Sequence, residues 1–204
     1  MKEKQSRLAE IFAAQALLKG QFDFIENQTM GTPFEVSIDI CSYRGAARIR
    51  EMAGRVSEEV GEILMSNTPE DRVEEIGDAL HFLIELFLTL ELSHEYVCKR
   101  CEDPGDHDSL DCAFSRAGYE SMQGGNWIWE EFFAALWVWM NRLKTKPWKL
   151  NPKSTDVEEF KVRSRAIFIH FIQCCITDNI SAQELYDAYF KKHSTNLSRI
   201  AHQH

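Results

Sequence analysis

The chain has 204 residues, with 23 Lys plus Arg against 32 Asp plus Glu and a formal charge of −9. That acidic balance excludes the basic surface by which proteins hold nucleic-acid backbones, and 44% apolar content with only 10 Gly and 5 Pro excludes disordered or fibrous classes. No apolar run reaches the roughly 18 residues of a membrane span, and MKEKQSRLAEIF lacks the apolar core of an export signal, so a cytoplasmic protein with its six cysteines as thiols is expected.

Helical period dominates from the start. Leu8, Ile11, Phe12, Gln15 and Leu18 share a face over 4–19, with Gly20 as a stop. Gly31 and Pro33 mark a loop. Ile49, Met52, Val56, Val60 and Ile63 then step by three and four through about 45–65. Asn67-Thr68-Pro69-Glu70-Asp71 ends that helix and caps the next, along which Val73, Ile76, Leu80, Leu83, Phe87 and Leu90 form a long stripe. Ser93-His94-Glu95 can open a further turn. Residues 99–125 break the pattern and read as a loop-rich insertion with at most one short helix.

An aromatic-rich helix is expected at about 126–146, followed by a linker with Pro147 and Pro152 and a helix at about 155–177. Ser181 with Glu184 is a capping box for the last helix. No segment alternates with period two, so the fold class expected is all-α: one domain over 1–204, a bundle of antiparallel helices. His81-Phe82 and His170-Phe171 echo each other within two long apolar helices, which is what a degenerate duplication of a helical hairpin would leave.

Acidic residues carry the chemistry. Glu59 and Glu62 are i, i+3 on one helix, as are Glu75 and Asp78 on the next. The short connection lets the two pairs face each other across a groove. Four converging carboxylates repel unless cations sit between them, and hard oxygen ligands select Mg²⁺ or Mn²⁺. A lone E-x-x-E is ordinarily a solvated face. Here the pattern is doubled and lies beside apolar stripes, and it contains mid-helix Gly61 and Gly77, each of which costs about 1 kcal/mol and so asks for a packing reason.

The paired pattern, E-E-x-x-E then E-x-x-D, resembles that of the all-α nucleoside triphosphate pyrophosphatases, which include MazG-like enzymes and the dimeric dUTPases. Within that group EEIGDALHFLIEL looks like the dUTPase version. The stretch Ile11–Leu17 around Gln15 resembles its N-terminal motif, and Tyr189–Arg199 its C-terminal one. The resemblance implies an Mg²⁺-dependent hydrolase, with Mn²⁺ as a substitute, that converts a deoxynucleoside triphosphate to the monophosphate and pyrophosphate. Glu59, Glu62, Glu75 and Asp78 would hold metal, and Glu58 would be a further ligand or base beside Glu59. Lys192 and Arg199 would neutralise phosphate, while Gln15 and Asn196 would contact the nucleoside. His193 stands where the family has Asn, and MSNTPEDRV lacks the Trp found there in many dimeric dUTPases. The expected substrate is dUTP, with dCTP or a modified deoxynucleotide open. The competing class is a non-catalytic helical interaction protein.

Cys98-x-x-Cys101 with His107 and Cys112 is a candidate Zn²⁺ set. The helix bearing Trp127, Trp129, Phe132, Phe133, Trp137 and Trp139 is apolar over much of its circumference, and a homodimer burying it in or near the interface is expected.

Overall fold

Helix boundaries follow the caps written in the chain. The computed structural model describes residues 6–30, 38–98, 109–125, 127–146 and 154–202. Among these it forms α1 (Arg7–Met30), α2 (Tyr43–Met65), α3 (Pro69–Thr89), α4 (His94–Cys98), α5 (Leu110–Gly124), α6 (Trp129–Met140), α7 (Val157–Thr177) and α8 (Ala182–His202), with no strand. Ser42 caps α2 by accepting from the Gly45 amide at 2.9 Å, and Thr68 caps α3 through the Asp71 amide at 3.1 Å, with Pro69 in the first turn. At the start of α8 the Ser181 amide donates to Glu184 at 2.9 Å and the Glu184 amide to Ser181 Oγ at 3.2 Å, a reciprocal capping box.

Three expectations change. The first helix does not stop at Gly20 but runs to Met30; a Cβ on Gly20 would meet nothing, so its only penalty is conformational freedom. The insertion holds the 15-residue α5, capped by Ser109 and burying Leu110, Ala113 and Ala117. Only three small or medium apolar residues make that stripe, which is why the sequence reads as loop. The aromatic helix is 12 residues, Trp129–Met140, and begins after Trp127.

The core joins two antiparallel hairpins, α2/α3 and α6/α7. On α2, Ile49, Met52, Val56, Val60 and Ile63 are fully buried, as are Ile76, Leu80, Leu83 and Phe87 on α3. Phe87 meets Trp139 of α6 and Phe168 of α7 at 6.4 and 6.1 Å between ring centroids. Arg72 grips Asp178 at 2.7 and 3.1 Å and also donates to the Ile63 carbonyl at 2.8 Å. Trp129 Nε1 donates to the same Asp178 at 2.7 Å, so one carboxylate ties the ends of both hairpins together. The helices α1 and α8 lie against α3 and each other. No helix among the described residues is long and apolar enough to cross a membrane.

Cys174 and Cys175 are buried core residues, and burial pushes both thiols up from their ordinary pKa, which keeps them unreactive.

Candidate active site

Packing of α2 on α3 sets the register of the acids. With the apolar stripes of the two helices turned inward, Glu59 and Glu62 flank one side of the seam and Glu75 the other. One oxygen from each of these three carboxylates falls within 4.8 Å of the others. Oxygens around an octahedral Mg²⁺ with bonds of about 2.1 Å lie ~3–4 Å apart, so modest side-chain rotation closes this set on an ion.

Asp78 is one turn deeper. Its Oδ2 accepts from Lys192 Nζ of α8, and its Oδ1 is buried with no hydrogen-bond partner among the described residues. A buried carboxylate oxygen facing an acid cluster without a donor is a position suited to a cation.

Electrostatics agree with the geometry. Burial, then repulsion from Asp78, Glu62 and Glu75, raises the Glu59 carboxyl to about 7, against partial relief from Lys192. Burial and the neighbouring acids Glu62 and Asp78 raise Glu75 as well. Asp78 is raised by burial in spite of its contact with Lys192. The chain's own cations leave this cluster under-neutralised. Glu58 is exposed and stands about 100° around α2 from Glu59, so it is not brought into the group.

Close approach of α8 to α3 brings Lys192 into place. A Cβ on Gly77 would lie 3.2 Å from the Ala188 carbonyl carbon, so any larger residue would push the two backbones apart by a few tenths of an ångström here. Ala188 is one turn before Lys192, and this crossing sets Lys192 against Asp78. Gly61 is different: a Cβ there meets nothing within 4 Å, so the packing reason expected for it is absent.

Beside the acids opens a cleft of about 310 Å³ walled by one face of each of four helices. Gln15, Leu18 and Phe22 come from α1, Arg55 and Glu59 from α2, Asp78, His81, Phe82 and Glu85 from α3, and Lys192, Asn196 and Arg199 from α8. All the candidate phosphate and nucleoside contacts, Gln15, Lys192, Asn196 and Arg199, thus border one cavity with two of the candidate metal ligands. The phosphate-sized end, by the acids and Lys192, grades into a wall of Phe22, Leu18 and Phe82, over whose ring the Arg55 guanidinium sits at 6.0 Å. Arg55, Phe82 and Glu85 were not anticipated. Phe82 and Glu85 follow Asp78 at i+4 and i+7, the signal that places them on its face.

The remaining histidines and cysteines fall elsewhere. His170 lies outside the cleft and stacks on Trp127 at 3.6 Å between centroids. Cys98 is buried and Cys112 half-buried, and neither joins a metal-capable group among the described residues. Cys101 and His107, like Pro147-Trp148-Lys149, lie outside the described residues.

A family model described as dUTPase matches residues 65–204. The chain belongs to the dUTPase family. Its helical fold is that of the dimeric, MazG-like branch. The matched stretch holds Glu75, Asp78, Lys192, Asn196 and Arg199, and stops short of Gln15, Glu58, Glu59 and Glu62. Gln15, Glu59 and Glu62 reach the family segment through the fold, from α1 and α2. Family membership supports a pyrophosphatase-type activity on a deoxynucleoside triphosphate. No curated protein and no solved structure matches the chain.

Proposed function

We propose that this dUTPase-family chain is an Mg²⁺-dependent pyrophosphatase that hydrolyses dUTP to dUMP and pyrophosphate. One observation carries the reading: acids on α2 and α3, cations on α8 and amides on α1 and α8 all border or adjoin a single cleft of nucleotide size. Glu59, Glu62, Glu75 and Asp78 would hold the metal, with Mn²⁺ able to replace Mg²⁺. When bound, the ion supplies charge neutralisation of the triphosphate and acidifies a ligated water. Lys192 and Arg199 meet phosphate oxygens and stabilise the charge that gathers on the departing pyrophosphate. Glu59, which borders the cleft, is better positioned than exposed Glu58 to take a proton from water. Gln15 and Asn196 contact the nucleoside, and Phe82 offers a ring face to the base. Incubation with each dNTP and Mg²⁺, with and without EDTA, followed by product chromatography, tests this. The expected result is dUMP and pyrophosphate only when metal is present. Hydrolysis in EDTA, or none of any dNTP, refutes the reading.

We also infer a homodimer. With Trp129, Phe132, Leu136, Trp139 and Met140 turned inward, α6 still exposes Phe133, Trp137 and Val138 at 41%, 37% and 64%. A continuous apolar outer face on one helix is what an isologous interface covers.

A further inference from the structure

A buried polar triad backs the cleft. His81 and Gln15 are 4% and 2% exposed, and Tyr189 is fully buried with its ring stacked on His81 at 4.1 Å between centroids. His81 Nε2 lies 3.1 Å from the Tyr189 backbone carbonyl. The opposite ring nitrogen, Nδ1, lies 2.7 Å from the end of the Gln15 carboxamide, at the atom placed as Oε1. The Tyr189 hydroxyl is 2.9 Å from that same amide atom and 3.3 Å from the Ile11 carbonyl.

The chemistry of these partners fixes the direction of every bond. A backbone carbonyl only accepts, so Nε2 must carry the ring proton. Burial, the largest influence, lowers the imidazole to about 4, so at neutral pH the ring holds one proton and Nδ1 is a bare lone pair. A lone pair 2.7 Å from an amide end requires an N–H there. The O and N of a carboxamide are nearly isosteric, and which stands where is decided by such partners.

With the Gln15 NH₂ turned inward, one proton goes to His81 Nδ1 and the other to the Tyr189 oxygen. The tyrosine proton then goes to Ile11, and each donor has its acceptor. With the Gln15 carbonyl inward, lone pair meets lone pair at one of the two ring nitrogens, in a site too dry to soften the repulsion. The other amide atom of Gln15 has no partner among the described residues, and Gln15 borders the cleft.

We propose that His81 and Tyr189 are positioning residues that hold Gln15 with its carbonyl toward the cleft, so that the site offers an acceptor to an N–H on the base edge. This rests on the reading of Gln15 as a nucleoside contact. An acceptor there favours a nucleotide whose base presents an N–H at that edge, such as the ring imide of uracil. A base that carries no hydrogen on that nitrogen is refused.

The test has two arms. In ¹⁵N-labelled wild-type protein at neutral pH, long-range ¹H–¹⁵N correlation should find the His81 proton on Nε2 alone. A proton on Nδ1, or on both nitrogens, overturns the proposal. Tyr189→Phe keeps the stacked ring but removes one acceptor for the Gln15 amide. It should raise KM for the preferred dNTP about threefold to tenfold, the worth of one hydrogen bond, with kcat little changed. An unchanged KM overturns the proposal too. The tautomer is read without substrate, so it decides the triad even in a protein that hydrolyses no dNTP, the outcome that would instead sink the functional reading.

Discussion

Gly61 and Gly77 both sit inside helices of the same hairpin, yet Ala should stabilise the first position and not the second. A helix-interior Gly is about 1 kcal/mol less favourable than Ala. At Gly61 the added Cβ meets nothing within 4 Å, so Gly61→Ala should gain most of that ~1 kcal/mol. At Gly77 the Cβ would stand 3.2 Å from the Ala188 carbonyl carbon and 3.3 Å from its oxygen and Cβ. These are backbone atoms and a Cβ, which cannot swing aside as a side-chain tip can. Overpacking of this kind costs ~1–3 kcal/mol, offset by the same ~1 kcal/mol of propensity, which leaves a net loss of about 0–2 kcal/mol. For a chain of this size 1 kcal/mol is about 2–4 °C, so Gly77→Ala should melt roughly 2–12 °C below Gly61→Ala. Thermal unfolding followed by circular dichroism measures the gap. Turnover should fall in Gly77→Ala, because displacement of α8 at Ala188 carries Lys192 away from Asp78. A Gly77→Ala protein as stable and active as Gly61→Ala would refute the close-packed crossing of α3 and α8.

Glu62→Ala or Asp78→Ala should nearly abolish dNTP turnover while leaving helical content intact; near-wild-type rates in both would exclude the acids from catalysis. Lys192→Ala and Arg199→Ala should lower kcat/KM about 10- to 100-fold each, the range of a charged hydrogen bond, through both KM and kcat. Without metal, the contribution of the clustered acids to stability should be greatest at acid pH, while buried His81, lowered to about 4, acts in the opposite sense. Glu59 and Asp78 have folded pKa values above their unfolded ones, so the stability linked to their protons is fully present below about 4, near the unfolded values. It is lost as pH rises through about 7, the folded value of Glu59. In EDTA, Glu59→Gln should therefore gain stability relative to the wild type as pH rises from 5 to 8, and Mg²⁺ should narrow that gap by stabilising the wild type; a difference that does not change with pH would mean that the acids do not repel. Light scattering should give about twice 23.7 kDa, and the monomer mass over a wide concentration range would disprove the dimer.

Helix identity was legible because its signals are local. Thr68 with Pro69, Ser181 with Glu184 and the stripes of α2 and α3 act within a few residues, through backbone caps and a 3.6-residue period. The i, i+3 acids were legible for the same reason. Where the local signal was thin it misled: α5 has three buried apolar residues in 15 and reads as loop, while Gly20 stops nothing because α1 continues past it at little cost. Gly61 and Gly77 look alike in sequence, and only the partner helix distinguishes them. The pairing of Asp78 with Lys192 spans 114 positions, and the contacts of His81 with Gln15 and Tyr189 span 66 and 108. Such contacts have no periodic trace in the chain. They depend on how α1 and α8 dock on α3, a register set by side-chain volumes along whole helices, and it is this docking that turns separate motifs into one cleft.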